Sequence, residues 1–117
     1  MIWVAAGGAL GAVARYGTGF IFKQTGFPYA TLSINIIGSF FIGLILCHYN
    51  KQQMAEPFKL LLATGFCGGF TTFSAFSWEC LQLLLQQKTM ACVYYIVLSV
   101  IGSIIATMAG YFLMNKL

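Results

Sequence analysis

Uncharged polar side chains recur at helical spacing in two apolar stretches of the chain. The two series are Thr31, Asn35 and Ser39, and Tyr95, Ser99 and Ser103. Residues four apart lie on one face of a helix, so each series forms a polar stripe. Hydroxyl and amide hydrogens can replace part of an ion's hydration shell. The same stripes also suit helix packing, because Ser and Thr hydroxyls often bond across membrane helices.

Asn35 is the strongest candidate among these donors. Its amide carries two donors and two acceptors, and all of them need partners in hydrocarbon. Contact with water or an ion explains Asn35 at least as well as a packing role.

Phe73 and Phe76 share a helix face at i and i+3, with Ser74 between them. Aromatic rings are positive at their edges. Since no Lys or Arg stands on the stripes, neutral donors and ring edges predict a pathway that suits an anion. Glu79 is an intramembrane carboxylate, which is a functional candidate by default. A role in bonding its neighbours remains equally open.

The composition indicates that lipid surrounds these stripes. The chain has 117 residues, of which 60% are hydrophobic and 7% are charged, whereas soluble domains carry about 25% charged residues. The length suits one domain over residues 1–117. The scattered basic residues behind the net charge of +4 favour lipid headgroups rather than nucleic acid. The sequence contains no nucleophile–base pair, metal cluster or phosphate-binding loop that would predict an enzyme.

Four apolar segments are predicted as transmembrane helices. They cover about residues 2–22, 28–49, 59–86 and 90–114, and a helix needs about 20 residues to cross the hydrocarbon core. Gly7 with Gly11, and Ala106 with Gly110, predict close helix packing. The four cysteines show no CxxC pair or metal-ligand spacing, so they are expected to pack as small hydrophobes; they are Cys47, Cys67, Cys80 and Cys92.

The third segment carries the run Gly65-Phe-Cys-Gly-Gly-Phe-Thr-Thr72. Each glycine weakens a helix by about 1 kcal/mol relative to alanine, and the hydroxyl groups that follow can cap a new helix. We therefore predict a break over 67–72 near the bilayer centre. Irregular backbone at that depth must be buried in protein or line a wet cavity. A plain glycine packing face is the alternative.

The basic residues are divided almost evenly between the two expected membrane faces. One face holds Lys51, Lys59 and Lys116, and the other holds Lys23 and Lys88, with Arg15 leaning toward it. The positive-inside bias is therefore close to zero. Such a protein can insert in both orientations, and two opposite copies can pair with inverted symmetry.

Three runs resemble the CrcB/Fluc family of fluoride channels. They are Gly65 to Ser77 (GFCGGFTTFSAFS), Gly11 to Tyr16 (GAVARY) and Thr31 to Ser39 (TLSINIIGS). The resemblance implies an all-α antiparallel dual-topology homodimer in the bacterial inner membrane. Two pores at the subunit interface would pass fluoride passively and selectively.

The resemblance also implies roles for individual residues. The fluoride pathway would contain Phe73, Phe76, Asn35, Tyr95, Ser99, Ser103, Ser74 and Thr31. Backbone carbonyls of Gly68 and Thr71 would hold a structural sodium ion with those of the second subunit, and no organic cofactor is expected. Arg15 and Glu79 would be structural or gating residues. The family often has Thr at the position of Ala75, so one hydroxyl is missing here.

Two other functions compete with the channel. A small dual-topology drug/proton antiporter needs a carboxylate in its first helix, but here that helix holds Arg15 and no acid. A non-conducting membrane subunit would use the stripes for packing alone.

Overall fold

The computed structural model describes residues 1–22 and 26–117, and the regular structure there is entirely helical. Helix α1 is Ile2–Thr18, α2 is Tyr29–Asn50, α4 is Ser74–Leu85 and α5 is Thr89–Lys116. Helix α3 joins three consecutive pieces, Glu56–Lys59, the π-helical Leu60–Cys67 and Gly68–Phe70. The predicted first loop contains Lys23, Gln24 and Thr25, which lie outside the described residues.

Helix α1 ends four residues before the predicted limit of 22. After Thr18 the chain continues in turns, with the Phe20 amide donating to the Gly17 carbonyl at 3.1 Å. Gly17 and Gly19 have low helix propensity, which explains the early end. With 17 residues, α1 lies at the short limit of about 17–25 residues for a membrane span.

Three helical stretches among the described residues are long and apolar enough to cross a membrane. They are Tyr29–Asn50, Glu56–Leu85 and Thr89–Lys116. The second of these contains both α3 and α4, so the predicted third helix is present as two halves.

Helix α1 packs against α3 through glycine. Gly7 and Gly11 are buried, and a Cβ atom at these positions would collide with the backbone carbonyl oxygens of Leu61 and Phe66, respectively. The π-helical segment thus approaches α1 closely enough for backbone contact. This arrangement confirms the predicted packing role of the two glycines.

Helix α2 packs against α5 in the same manner. A Cβ on Gly43 would collide with the Thr107 carbonyl oxygen, and one on Gly110 would collide with the Phe40 carbonyl oxygen. Ala106 is buried one turn before Gly110. The predicted packing role of that pair is likewise observed.

The helix interruption lies between α3 and α4. Helix α3 runs through Phe70, and Thr71 is extended, with φ −78° and ψ 157°. Helix α4 begins at Ser74, so the non-helical residues are 71–73 rather than the predicted 67–72. The consecutive glycines continue the helix because tight packing against α1 compensates for their low propensity.

Thr72 caps the second half of the broken helix. Its Oγ1 accepts a hydrogen bond from the Ala75 amide at 3.2 Å and lies 3.3 Å from the Ser74 hydroxyl. A hydroxyl acceptor for an otherwise unpaired amide is the usual way to begin a helix. A hydroxyl that follows the glycines thus accepts from a first-turn amide, although the helix N-cap itself is Phe73, whose side chain makes no capping bond.

Lysine side chains link connecting segments at the two ends of the molecule. The Lys51 ammonium donates to the carbonyl oxygens of Met114 and Asn115, each at 2.9 Å. At the other end, the Lys88 ammonium lies against Gly26. The second loop and the end of α5 therefore lie on one face, as expected from the sequence for Lys51 and Lys116.

Candidate functional site

A cavity of about 390 Å³ lies between α2, α5 and the helix interruption. None of its described lining residues is charged; they are Asn35, Ser39, Ile42, Gly68, Thr71, Thr72, Phe73, Phe76, Ser99, Val100 and Ser103. Five of the eight predicted pathway residues meet here, together with both predicted carbonyl residues. The fold thus joins the two polar stripes to the aromatic pair.

Asn35 clamps the interrupted backbone. Its Nδ2 donates to the Thr72 carbonyl oxygen at 3.0 Å, and its Oδ1 accepts from the Thr72 amide at 2.9 Å. Both backbone polar groups of Thr72 are thereby satisfied inside the protein, where leaving either unpaired costs about 1–3 kcal/mol. The amide retains one N–H that these two bonds do not use.

The clamp leaves two carbonyl oxygens without their usual helical donors. In a continuous helix, Gly68 would accept from the Thr72 amide and Thr71 from the Ala75 amide. The Thr72 amide instead donates to Asn35, and the Ala75 amide donates to the Thr72 hydroxyl. Gly68 and Thr71 both line the cavity. These are the carbonyls to which the family resemblance assigns a sodium ion, and that assignment stays a prediction.

Arg15 engages the carbonyl that lies between them. Its Nε donates to the Gly69 oxygen at 3.2 Å, which links α1 to the last turn of α3. The guanidinium is half-buried and compensates the negative end of that half-helix. This contact agrees with the structural alternative for Arg15.

Ser99 holds an unused donor in the cavity. Its side chain is 7% exposed, and its buried hydroxyl has no hydrogen-bond partner among the described residues. Buried polar groups are nearly always paired, so such a group indicates a missing partner. Ser103 continues the lining one turn further along α5.

The two phenylalanines form a pair at the cavity edge. The Phe73 and Phe76 ring centroids are 5.6 Å apart, with the rings inclined by 34°. Phe76 also packs on Tyr95 at 4.9 Å. Phe73 is 78% exposed, so the described residues leave most of its ring uncovered.

The remaining predicted pathway residues lie outside this cavity. Tyr95 is fully buried, and its hydroxyl donates to Glu79 Oε1 at 3.4 Å. Thr31 is buried beside them and interacts with both groups. Ser74 is exposed and bonds to Thr72 instead. Glu79 therefore bonds its neighbours, as one of the two open alternatives expected.

Glu79 also borders a second cavity of about 480 Å³. Pro28 and Tyr29 at the start of α2, and Gln82 on α4, contribute to its lining. Thr31, Tyr95 and Glu79 thus connect a wall of this outer cavity with Phe76 in the inner one.

Thr72 is the site residue that the sequence did not single out. Its amide, carbonyl and hydroxyl each make a hydrogen bond that shapes the interruption. The available signal was a hydroxyl residue two positions before a new helix, which marked a cap but gave no sign of the pairing with Asn35.

A family model described as "CrcB-like protein, Camphor Resistance (CrcB)" matches residues 2–111. Curated relatives cover nearly the whole chain. The fluoride-specific ion channel FluC of Flavobacterium psychrophilum is 43% identical over 121 residues, which span 100% of this chain and 98% of the relative. The protein of the same name from Idiomarina loihiensis is 42% identical, across 94% of this chain and 88% of the relative. That of Leptospira interrogans is 39% identical, across 99% and 94%.

Proposed function

The chain belongs to the CrcB family, and on that premise we propose that it is a fluoride-specific ion channel. It is a multi-pass membrane protein, and its relatives are bacterial. A passive pore agrees with a cavity whose described lining contains uncharged donors and ring edges but no charged group.

The buried, unpaired Ser99 hydroxyl is the observation that carries the proposal. A small anion in the cavity supplies the acceptor that this donor lacks. The spare Asn35 N–H and the Ser103 hydroxyl line the same cavity, so the ion can exchange water for protein donors step by step. The edges of Phe73 and Phe76 add positive electrostatic potential without a fixed charge that would trap the ion.

Thr31, Tyr95 and Glu79 form the outer part of the proposed pathway. The Tyr95 hydroxyl donates to the Glu79 carboxylate, Thr31 interacts with the same carboxylate, and Phe76 contacts the Tyr95 ring. Fluoride leaving the inner cavity would meet these hydroxyls next. A carboxylate at this point favours release of an anion through repulsion.

The proposed working unit is an antiparallel homodimer. The highly exposed Phe73 ring at the cavity edge favours a second copy as its cover. The balanced distribution of basic residues agrees with insertion in both orientations. Two copies related by an axis in the membrane plane would then enclose two equivalent pores.

The proposed sodium ion fits the carbonyls of the interruption. Gly68 and Thr71 have lost their helical donors and lie beside the same cavity, and hard cations favour such oxygens. Two interruptions facing each other on the two-fold axis would provide four carbonyls. When bound, the ion would supply positive charge that holds the two interruptions together.

Fluoride efflux from proteoliposomes tests the function. Vesicles loaded with fluoride and containing only the purified protein should release it, as measured with a fluoride electrode, while empty vesicles retain it. Efflux equal to that of empty vesicles would reject the channel. Chloride-loaded vesicles give the selectivity, and equal release of chloride would reject fluoride specificity.

A second measurement separates the channel from an antiporter. Fluoride current under a voltage at equal pH on both sides is expected for a passive pore. A strict requirement for a proton gradient would contradict it.

Reporter fusions at the C-terminus should label both membrane faces, and labelling of one face alone would reject dual topology.

A further inference from the structure

An apolar groove of about 300 Å³ lies between α2 and α3. Apolar side chains of both helices form its walls; they are Ile37, Phe41 and Ile45 of α2, and Leu62, Phe66 and Phe70 of α3. The proposed fluoride pathway uses none of them. Apolar cavities stay dry and accept apolar ligands, so this groove suits a hydrocarbon occupant.

The groove opens on the outer surface of the helices. The exposed fractions of Ile37, Phe41 and Leu62 are 46%, 48% and 37%, respectively. The Phe66 and Phe70 rings stack with centroids 5.9 Å apart and an angle of 10° between their planes. The α3 wall is therefore a flat aromatic surface, along which an extended chain can lie.

The inner end of the groove lies at the helix interruption. Gly38 lines this end, and a Cβ there would collide with the Thr71 side chain and lie 3.4 Å from the Phe70 ring. Gly38 is also near the middle of α2, which spans Tyr29–Asn50. The groove thus begins near the bilayer centre.

The length of the α2 wall matches one leaflet of a bilayer. Ile37, Phe41, Ile45 and His48 follow each other at helical spacing on one face of α2. At 1.5 Å per residue, the distance from Ile37 to His48 is about 16 Å. Half of a hydrocarbon core of about 30 Å is about 15 Å. The groove therefore leads from the bilayer centre to the headgroup level.

The outer end of the groove carries an excess of positive charge. Lys59 lies about one turn before Leu62 on α3, and its ammonium is 5.5 Å from the centroid of the Tyr49 ring. Lys51 holds the end of α5 at the same face, where Glu56 is the acidic side chain. Lysines at the headgroup level attract anionic phospholipids, and aromatic rings are typical of that depth.

We propose that this groove binds one acyl chain of an anionic phospholipid, whose phosphate lies at Lys59. The apolar walls are as long as one leaflet, and the positive charge stands at the end where the headgroup would be. A phospholipid is the ligand that matches both features at once.

A second copy of the chain does not match the position of the groove. Successive residues are about 100° apart around a helix, so Ile37 lies about 200° from Asn35. The groove is therefore on the other side of α2 from the cavity that contains Asn35 and Phe73. A copy that covers Phe73, as in the proposed dimer, leaves the groove facing lipid.

Native mass spectrometry of the detergent-purified protein tests the site. Titration with dioleoyl phosphatidylglycerol should give one tightly bound lipid per chain. Ile45→Trp should weaken this binding by about tenfold or more, because the indole occupies the space of the acyl chain. Ile105→Trp is the matched control, since it adds the same ring at a position on α5 that is 59% exposed; it should bind as the parent does.

Two further variants examine the other wall and the headgroup. Leu62→Trp fills the groove from α3 and should repeat the loss, which keeps the test decisive if Ile45→Trp does not fold. Lys59→Gln should weaken binding of phosphatidylglycerol about fivefold and leave that of phosphatidylcholine unchanged.

Equal lipid binding by the groove-filling variants and Ile105→Trp overturns the proposal. Equal affinity of the parent for phosphatidylglycerol and phosphatidylcholine overturns the headgroup assignment. Disulfide-linked pairs of Phe41→Cys chains in membranes, absent from the parent, would assign the groove to a second copy. None of these measurements involves fluoride, so failure of the channel function leaves them decisive.

Discussion

The α1–α3 interface and the α3–α4 interruption share a glycine-rich sequence but use it differently. At the interface, Gly7 and Gly11 bring two backbones into direct contact, and the helix continues through Gly68 and Gly69. At the interruption, the geometry depends on a side chain from another helix, because Asn35 takes both backbone polar groups of Thr72.

This difference shows that low helix propensity alone does not make backbone groups available for binding. Glycine allows close approach, but the Gly68 and Thr71 carbonyls become available only because their amide donors are bonded elsewhere. The following predictions separate the two regions, since one should respond in stability and the other in transport.

Asn35→Asp should have the largest effect. The aspartate keeps the shape but loses the donor to the Thr72 carbonyl and brings negative charge to that oxygen. If the lost hydrogen bond and the added charge together cost the pathway about 3 kcal/mol, fluoride efflux should be about a hundredfold slower. Asn50→Asp is the matched control, because it makes the same change at the end of the same helix and outside the cavity; it should stay within about threefold of the parent protein. Efflux by Asn35→Asp within threefold would contradict the clamp.

Gly11→Ala should lower the free energy of unfolding by about 2 kcal/mol, because the methyl group would meet backbone atoms of α3. Gly17→Ala on the same helix is the control, since a Cβ there has nothing within 4 Å. It should leave stability unchanged or raise it by up to about 1 kcal/mol. Denaturant titration in micelles measures both. Equal effects of the two substitutions would reject backbone contact as the origin of tight packing.

Ser99→Ala should affect transport without affecting stability. The hydroxyl has no partner to lose among the described residues, so the free energy of unfolding should change by less than about 0.5 kcal/mol. Efflux should fall about tenfold, which is about 1.4 kcal/mol.

Thr107→Val supplies the control for Ser99→Ala. Thr107 is on the same helix, but its hydroxyl donates to the Ser103 carbonyl at 3.0 Å. It should retain nearly full efflux. A stability loss for Ser99→Ala as large as its transport loss would indicate a packing role instead.

Ala75→Thr should have the smallest effect. Ala75 is half-buried, and its amide is already capped by Thr72, so an added hydroxyl replaces no missing bond in the single chain. Stability should change by less than about 0.5 kcal/mol. Efflux should stay within about threefold; an increase beyond tenfold would assign the missing hydroxyl a direct role in conduction.

Periodicity and composition predicted much of this architecture. The glycine contacts of α1 and α5 follow from small residues at helical spacing, and meeting of the two stripes follows from packing of α2 on α5. The limits of the interruption were less predictable. Propensity placed its start at 67, whereas packing against α1 keeps residues 67–70 helical.

Two features of the site could not come from the sequence pattern. Asn35 and Thr72 lie 37 positions apart, and no local rule pairs them. Arg15 meets Gly69 across 54 positions for the same reason.

The freed oxygens of Gly68 and Thr71 belong to the main chain, which has a genetic consequence. No codon change can delete a backbone carbonyl, so missense alleles cannot remove these atoms directly. A screen for inactive alleles should instead recover changes at Asn35 and Thr72, where side chains decide whether those oxygens stay unpaired.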